Sequence, residues 1–277
     1  MNIVITGGSG FVGSYLCEKL INDGHEIIVV DNLLTGSTEN INHLMHNENF
    51  SFIEHDVQNH IEIENKVDYV LHFASAASPK AYTEHPVNTL KAGSVGTINT
   101  LGLAKKHDAE YLLASTSEVY GDPLISPQTE EYWGNVNPNG ERSMYDEAKR
   151  FAEAAVATYS RSYDLKTKIV RIFNTYGPRM QLNDGRVVTN FIVQALKNEN
   201  ITIYGDGSQT RSFSYVEDTV AGIISLMNSS EYDVFNIGNP NEMTVGQLAE
   251  KIIELTDSTS EIKYLELPND DPKQRKP

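Results

Sequence analysis

The segment that most constrains this chain is Thr6-Gly7-Gly8-Ser9-Gly10-Phe11-Val12-Gly13. It follows the β-branched run Ile3-Val4-Ile5 and precedes a helical pattern reaching about Asn22. Strand, glycine turn and helix in that order make the opening unit of a parallel sheet. Each glycine meets a different need. Gly7 permits the tight turn, Gly10 lets the backbone approach a phosphate, and Gly13 lets the helix pack close to the sheet. The helix start then presents free N–H groups and the positive end of a dipole to an anion.

The rhythm continues through the first half. Strand-like runs at 3–5, 26–30, 50–54, 67–73, 110–114 and 168–173 alternate with helical stretches, the longest at 86–107 and 144–164. Buried strands alternating with helices predict an α/β fold, a doubly wound parallel Rossmann sheet. After Asn174 the pattern breaks at Gly177-Pro178, Asn183-Asp184-Gly185 and Gly205-Asp206-Gly207. Shorter helices (187–198, 217–228, 245–256) and strands (201–204, 234–237, 261–265) follow, read as a smaller C-terminal lobe over the carboxyl ends of the parallel strands. The expected division is a Rossmann domain at 1–174, with a return segment at about 212–238, and a substrate lobe from 175–211 and 239–277.

Charge narrows the partners. Lys plus Arg number 22 against 38 Asp plus Glu, a formal charge of −16 over 277 residues. That surface repels nucleic acid and anionic lipid, so an anionic substrate needs a local basic pocket. No apolar run is long enough to span a membrane, and no basic leader precedes the first strand. The one cysteine, Cys17, excludes an internal disulfide and is expected to be a small buried residue. A soluble cytoplasmic protein without a metal site is expected.

Asp31 closes the second strand about 20 residues past the glycine turn. A carboxylate there accepts hydrogen bonds from ribose hydroxyls and repels a 2′-phosphate, so the expected dinucleotide is NAD rather than NADP. Asn32 stands where an NADP enzyme would often carry an arginine. His55-Asp56-Val57 either flanks the adenine or is a plain polar strand end. Tyr145 and Lys149, four apart on one helical face, form a candidate base: an ammonium near the hydroxyl is expected to lower the tyrosine pKa. Thr116 and Glu118, at the carboxyl end of the fifth strand, are placed to meet the reacting group.

These motifs together resemble the extended short-chain dehydrogenase/reductase superfamily. The finer text is similar to the UDP-glucuronate decarboxylases within it. The matching stretches include Leu112-Leu113-Ala114-Ser115-Thr116-Ser117-Glu118-Val119-Tyr120-Gly121, Glu131-Tyr132-Trp133-Gly134, Tyr145-Asp146-Glu147 with Lys149-Arg150, Arg171-Ile172-Phe173-Asn174-Thr175-Tyr176-Gly177-Pro178-Arg179, Asn183-Asp184-Gly185-Arg186 and Arg275-Lys276-Pro277. The resemblance implies oxidation of the sugar at C4 by NAD⁺, loss of CO₂ from the resulting β-keto acid, and return of the hydride to give UDP-xylose. It assigns Tyr145 as base, with Thr116 and Lys149 supporting and Ser117, Glu118 and Arg275 acting in decarboxylation. Phe11, Val12, Thr35, Gly36, Asp56, Val57, Ala74 and Thr175 would complete the cofactor site, with Lys149 shared. Lys91, Asn99, Lys105, Lys106, Asn174, Arg186 and Arg211 would hold the nucleotide and diphosphate. Gly93 departs from the family's usual Asn and is expected to weaken its helix. The resemblance also implies a homodimer through a four-helix bundle built on 86–107 and 144–164. A 4,6-dehydratase usually carries Asp-Glu after the threonine, where this chain has Ser117-Glu118. A 4-epimerase needs no decarboxylation residues. A non-catalytic NAD-binding module would be expected to have lost Tyr145 or Lys149.

Overall fold

A computed structural model describes residues 1–266 and 274–277, with the backbone alone at 274–275. Its first half comprises β1 (Asn2–Thr6), α1 (Phe11–Asn22), β2 (Glu26–Asp31), β3 (Phe50–Glu54), β4 (Tyr69–His72), α2 (Pro79–Glu84), α3 (Pro86–Lys91), α4 (Thr97–His107), β5 (Glu110–Thr116), α5 (Ser143–Tyr163) and β6 (Thr167–Ile172). The second half comprises β7 (Thr175–Tyr176), α6 (Val187–Leu196), β8 (Ile201–Tyr204), β9 (Thr210–Ser212), β10 (Ser214–Tyr215), α7 (Val216–Met227), β11 (Val234–Ile237), β12 (Glu242–Thr244), α8 (Val245–Thr256), β13 (Ile262–Leu265) and β14 (Gln274–Arg275).

Seven strands form one sheet in the order β11-β6-β5-β4-β1-β2-β3, every neighbouring pair parallel. The central strands are apolar on both faces because helices cover both. Leu16 and Leu20 of α1 pack with Val220 and Ile223 of α7 on one side. Leu101 and Ala104 of α4 pack with Ala152 and Val156 of α5 on the other. The chain winds outward from β1 through β2 to β3, then returns to β4 and winds the opposite way. The crevice at this reversal, beyond the carboxyl ends of β1 and β4, is where open α/β sheets bind ligands. Cys17 is fully buried and its thiol donates to Gly8 O at 3.7 Å.

The small lobe has its own core, with Val188 and Phe191 of α6 and Leu248 and Ile252 of α8 packed on Ile201 and Ile203 of β8. Parallel β8–β13 and the sheet β12-β9-β14 complete it. Helix α7 packs with α1, and β11 lies on the sheet edge beside β6.

Three local readings are corrected. The strand expected at 67–73 is confined to Tyr69–His72. Helix α2, unanticipated, opens with Ser78 accepting from Ala81 N and with Pro79 in its first turn. The long helix 86–107 contains a π turn at Ala92–Gly96. Gly93 and Gly96 allow it: a Cβ on Gly93 would lie 2.7 Å from Ala148 Cβ of α5, and one on Gly96 2.7 Å from Val57 Cγ2. Hydroxyls of Ser94, Thr97 and Thr100 also bond carbonyls four residues back, which competes with the regular ladder.

Candidate active site

One crevice of about 1140 Å³ runs from the glycine turn across the ends of β1, β4 and β5 to the small lobe. It exceeds the roughly 300–1,000 Å³ typical of one small-molecule site, so it has room for two ligands side by side.

At one end lie Gly7, Gly10, Phe11, Val12 and Gly13. Gly7 has φ +74°, the left-handed region. A Cβ on Gly13 would stand 2.2 Å from Gly7 O, so only glycine lets α1 start this close to the turn. A Cβ on Gly10 would meet only Gly7 O at 3.2 Å, leaving its crevice face open. Asp31 is buried beside the turn and accepts from Ser9 N at 3.0 Å and Leu33 N at 2.9 Å. Burial raises its pKa, and those backbone N–H groups oppose the rise. Two backbone bonds leave a carboxylate with further acceptor capacity for ribose hydroxyls. Asn32, Thr35, Gly36, Asp56, Val57, Ala74 and Thr175 also line the crevice. Asn32 Nδ2 donates to Asp56 Oδ2 at 3.2 Å, which ties the ends of β2 and β3. His55 also reaches the crevice wall. The glycine clearances and the acidic strand end fit a dinucleotide.

At the centre, Tyr145 is 5% exposed and stacks on Tyr82 of α2, centroids 5.1 Å apart. Its hydroxyl lies near that of Thr116. The expected lowering of the Tyr145 pKa by Lys149 is corrected. Burial pushes that pKa upward and the Glu118 charge adds to the rise, while the Thr116 hydroxyl and the Arg186 charge oppose it. Lys149 Nζ lies 5.9 Å from the Tyr145 ring centroid and donates to Ala114 O at 2.8 Å. Burial depresses Lys149 to about 8, against the opposing charge of Glu153.

Thr116 caps a short 3₁₀ turn, Ser117–Tyr120, by accepting from Glu118 N at 3.2 Å. Ser117 and Glu118 therefore both line the crevice beside Tyr145. Glu118 is ion-paired with Arg142, the residue that opens α5, and the Arg142 guanidinium lies 5.9 Å from the Tyr82 ring centroid. Sequence reasoning missed Arg142 and Tyr82, whose positions depend on three elements meeting. Behind β5, Arg171 and Glu153 form a buried bidentate pair, and Ser115 Oγ donates to Glu153 Oε1 at 2.5 Å. This network braces the strand end that carries Thr116.

At the far end lie Asn174, Arg186 and Arg211. Asn174 Nδ2 is a buried donor without a hydrogen-bond partner; such a group is costly unless a ligand acceptor meets it. Arg186 donates to Ala77 O at 3.2 Å and lies 3.4 Å from Asp184 Oδ2. Arg179, also lining the crevice, was not anticipated as a site residue; it donates to Ser14 Oγ at 3.1 Å and pairs with Glu18. The backbone of Arg275 pairs with Arg211; its side chain lies outside the described residues. Arg179, Arg186 and Arg211 thus line the crevice, the first two paired with Glu18 and Asp184.

Four expected substrate ligands lie elsewhere. Asn99 Nδ2 donates to Val57 O and Asn59 O, holding the loop after β3. Lys105 Nζ sits 3.4 Å over the Tyr163 ring, and Lys106 is ion-paired with Glu62. Lys91 is exposed at the end of α3. None of the four lines the crevice. The substrate role expected of them is corrected: Asn99, Lys105 and Lys106 are engaged by other partners, and Lys91 stands exposed outside the crevice.

Residues 3–238 match the NAD dependent epimerase/dehydratase family. Over 275 residues the chain is 53% identical to UDP-glucuronic acid decarboxylase 1 of Xenopus tropicalis, covering 99% of this chain and 65% of that protein. It is 52% identical over 278 residues to UDP-glucuronic acid decarboxylase 3 of Arabidopsis thaliana, covering 100% and 81%. The structure is similar to that of a UDP-glucose 4-epimerase with UDP-glucose from Thermotoga maritima. There the TM-score is 0.91 and the identity 31%, with 100% of this chain and 89% of the other covered. The chain thus spans just under two thirds of the Xenopus relative's length and about four fifths of this Arabidopsis relative's. The fold agrees with these likenesses, and the chain belongs to the NAD dependent epimerase/dehydratase family.

Proposed function

We propose that this chain is an NAD-dependent decarboxylase that converts UDP-glucuronate to UDP-xylose. The observation that carries the reading is one continuous crevice. In it the glycine turn and Asp31 stand at one end, the Tyr145–Thr116 hydroxyl pair and the Glu118–Arg142 ion pair at the centre, and Asn174, Arg186 and Arg211 at the other. The likeness to UDP-glucuronic acid decarboxylases over nearly the whole chain supports this choice among the family's reactions.

Gly7, Gly10, Gly13, Phe11, Val12 and Asp31 would hold NAD, with Asn32, Thr35, Gly36, Asp56, Val57, Ala74, Lys149 and Thr175 around it. When bound, NAD supplies a hydride acceptor at the sugar's C4 and later the hydride donor. Tyr145 takes the proton of the C4 hydroxyl, and its stacking on Tyr82 keeps the phenol aimed. Lys149, at about 8, is mainly protonated at neutral pH, and its bond to Ala114 O fixes it beside the Tyr145 ring. Once C4 is a ketone, the C5–carboxylate bond breaks, its electron pair moves into the enolate, and CO₂ leaves. Glu118 and Ser117 would protonate C5, with Arg275, on β14 beside Arg211, assisting. Arg186, Arg211 and Asn174 suit the diphosphate and nucleotide.

The chain divides into a dinucleotide domain, 1–174 with 212–238, and a substrate lobe, 175–211 with 239–277. We also assign a homodimer in which α3–α4 and α5 of two copies form a four-helix bundle. Val87, Leu90, Ile98 and Phe151 stand exposed on these helices in a single copy. A cytoplasmic setting fits the buried free thiol of Cys17. Among the described residues, no helix is long and apolar enough to cross a membrane.

Proton NMR of purified protein with NAD⁺ and UDP-glucuronate tests the reading. UDP-xylose should accumulate without added reductant. UDP-galacturonate alone, with no CO₂ evolved, would establish epimerisation instead.

A further inference from the structure

We propose that Arg142 is a positioning residue for the reaction: its guanidinium holds the Glu118 carboxylate, neutralises that charge beside Tyr145, and locks both to the start of α5. This rests on the reading of Tyr145 as base given above.

Three contacts converge on Arg142. Its carbonyl accepts from Tyr145 N at 3.0 Å and from Asp146 N at 3.1 Å, so it forms the first link of the helix that carries the base. Its guanidinium is ion-paired with Glu118, whose backbone N donates to Thr116 Oγ1. The same guanidinium faces Tyr82, the ring stacked against Tyr145. One side chain thereby ties together the turn after β5, helix α2 and the start of α5. The Arg142 and Glu118 side chains are 22% and 14% exposed, so solvent screens the pair only in part.

The charges around Tyr145 say why this matters. Facing it are Glu118 from the turn after β5, Arg186 from the segment before α6, Tyr82 from α2, and Arg142 and Lys149 on its own helix. Among the charges, Glu118 opposes ionisation of Tyr145 most strongly. A guanidinium paired with that carboxylate offsets part of its field at the phenol. Without Arg142, Glu118 would face Tyr145 with its charge no longer countered by that guanidinium, and the tyrosinate needed to accept the hydroxyl proton would form only at higher pH.

The test compares wild type, Arg142→Gln and Arg142→Lys. Reduction of bound NAD is followed at 340 nm in single turnovers across pH, with UDP-glucuronate and, separately, UDP-glucose. Melting temperatures are measured alongside. The acid limb of the Arg142→Gln profile should move up by about one pH unit, a roughly tenfold loss of rate at neutral pH. Arg142→Lys keeps the charge and should hold the limb near the wild-type position. An Arg142→Gln limb that stays in place, with only a lower melting temperature or a uniformly lower rate, overturns the proposal and leaves Arg142 a support for α5. A wild-type rate independent of pH overturns it as well. If the wild type reduces NAD but releases no CO₂ from UDP-glucuronate, the decarboxylase reading falls while the limb comparison still decides the role of Arg142.

Discussion

Replacing one glycine with alanine should have opposite effects at two helical sites of this protein. At Gly102, inside α4, an added Cβ meets nothing within 4 Å. Alanine there gains helix propensity of about 1 kcal/mol, and the melting temperature should rise by roughly 2–4 °C for a chain of this size. At Gly13, inside α1, the same Cβ would lie 2.2 Å from Gly7 O and 2.9 Å from Gly8 Cα. Restoring an ordinary 3.4 Å contact requires a shift of about 3.4 − 2.2 = 1.2 Å, and both obstructing atoms are backbone. Helix α1 cannot withdraw freely, because Leu16, Cys17 and Leu20 are fully packed beneath it. Overpacking of this kind costs about 1–3 kcal/mol, which offsets the propensity gain. Gly13→Ala should therefore melt several degrees lower. A displacement near 1 Å at the turn should also weaken NAD binding at least about tenfold. Thermal melts with and without NAD⁺, together with calorimetric titration, measure both effects. A Gly13→Ala variant as stable as Gly102→Ala that binds NAD⁺ normally would refute the packing argument and, with it, the placement of the dinucleotide on this turn.

Three further outcomes are expected. Tyr145→Phe should abolish turnover of UDP-glucuronate, by at least about a hundredfold, while calorimetry still finds NAD⁺ bound; surviving activity would remove Tyr145 as the base. Asp31→Ala should weaken NAD⁺ by about 1.5–3 kcal/mol, the worth of hydrogen bonds to a charged group, and an unchanged affinity would deny the ribose contact. Lys149 carries a pH signature: its pKa is depressed from 10.5 to about 8, so between those values the unfolded chain binds more protons than the folded one. Stability from this group therefore rises with pH across that window. Lys149→Met should melt higher than wild type at pH 7, and the difference should shrink by pH 9.5; a constant difference would show that Lys149 is not buried as an ammonium.

The parallel sheet was legible because its signals are local. Ile3-Val4-Ile5 followed by three spaced glycines needs no distant partner to be read, and Asp31 sits one strand further on. The two-residue strands β7, β10 and β14 were not legible, because pairing with distant segments makes them strands at all. The 86–107 helix shows both sides. Its extent followed from periodicity, while its π turn depended on Ala148 and Val57 lying against Gly93 and Gly96. Among the site residues, Tyr145, Lys149, Thr116 and Glu118 converge as expected. Lys105 and Lys106 were candidates on charge alone, and only the fold reveals that one covers Tyr163 and the other pairs with Glu62. The acidity of Tyr145 was misjudged for a related reason: a sequence displays the nearby lysine but not the burial that dominates it.

In the proposed reaction the electrons taken from C4 return to the same sugar within one catalytic cycle. UDP-glucuronate carrying deuterium at C4 tests this most directly, with the product examined by proton NMR after turnover in ordinary water without added reductant. The expected product is UDP-xylose with the deuterium retained at C4 and one mole of CO₂ released per mole of product. Loss of the label from C4, or a product that forms only when external NADH is supplied, would contradict it.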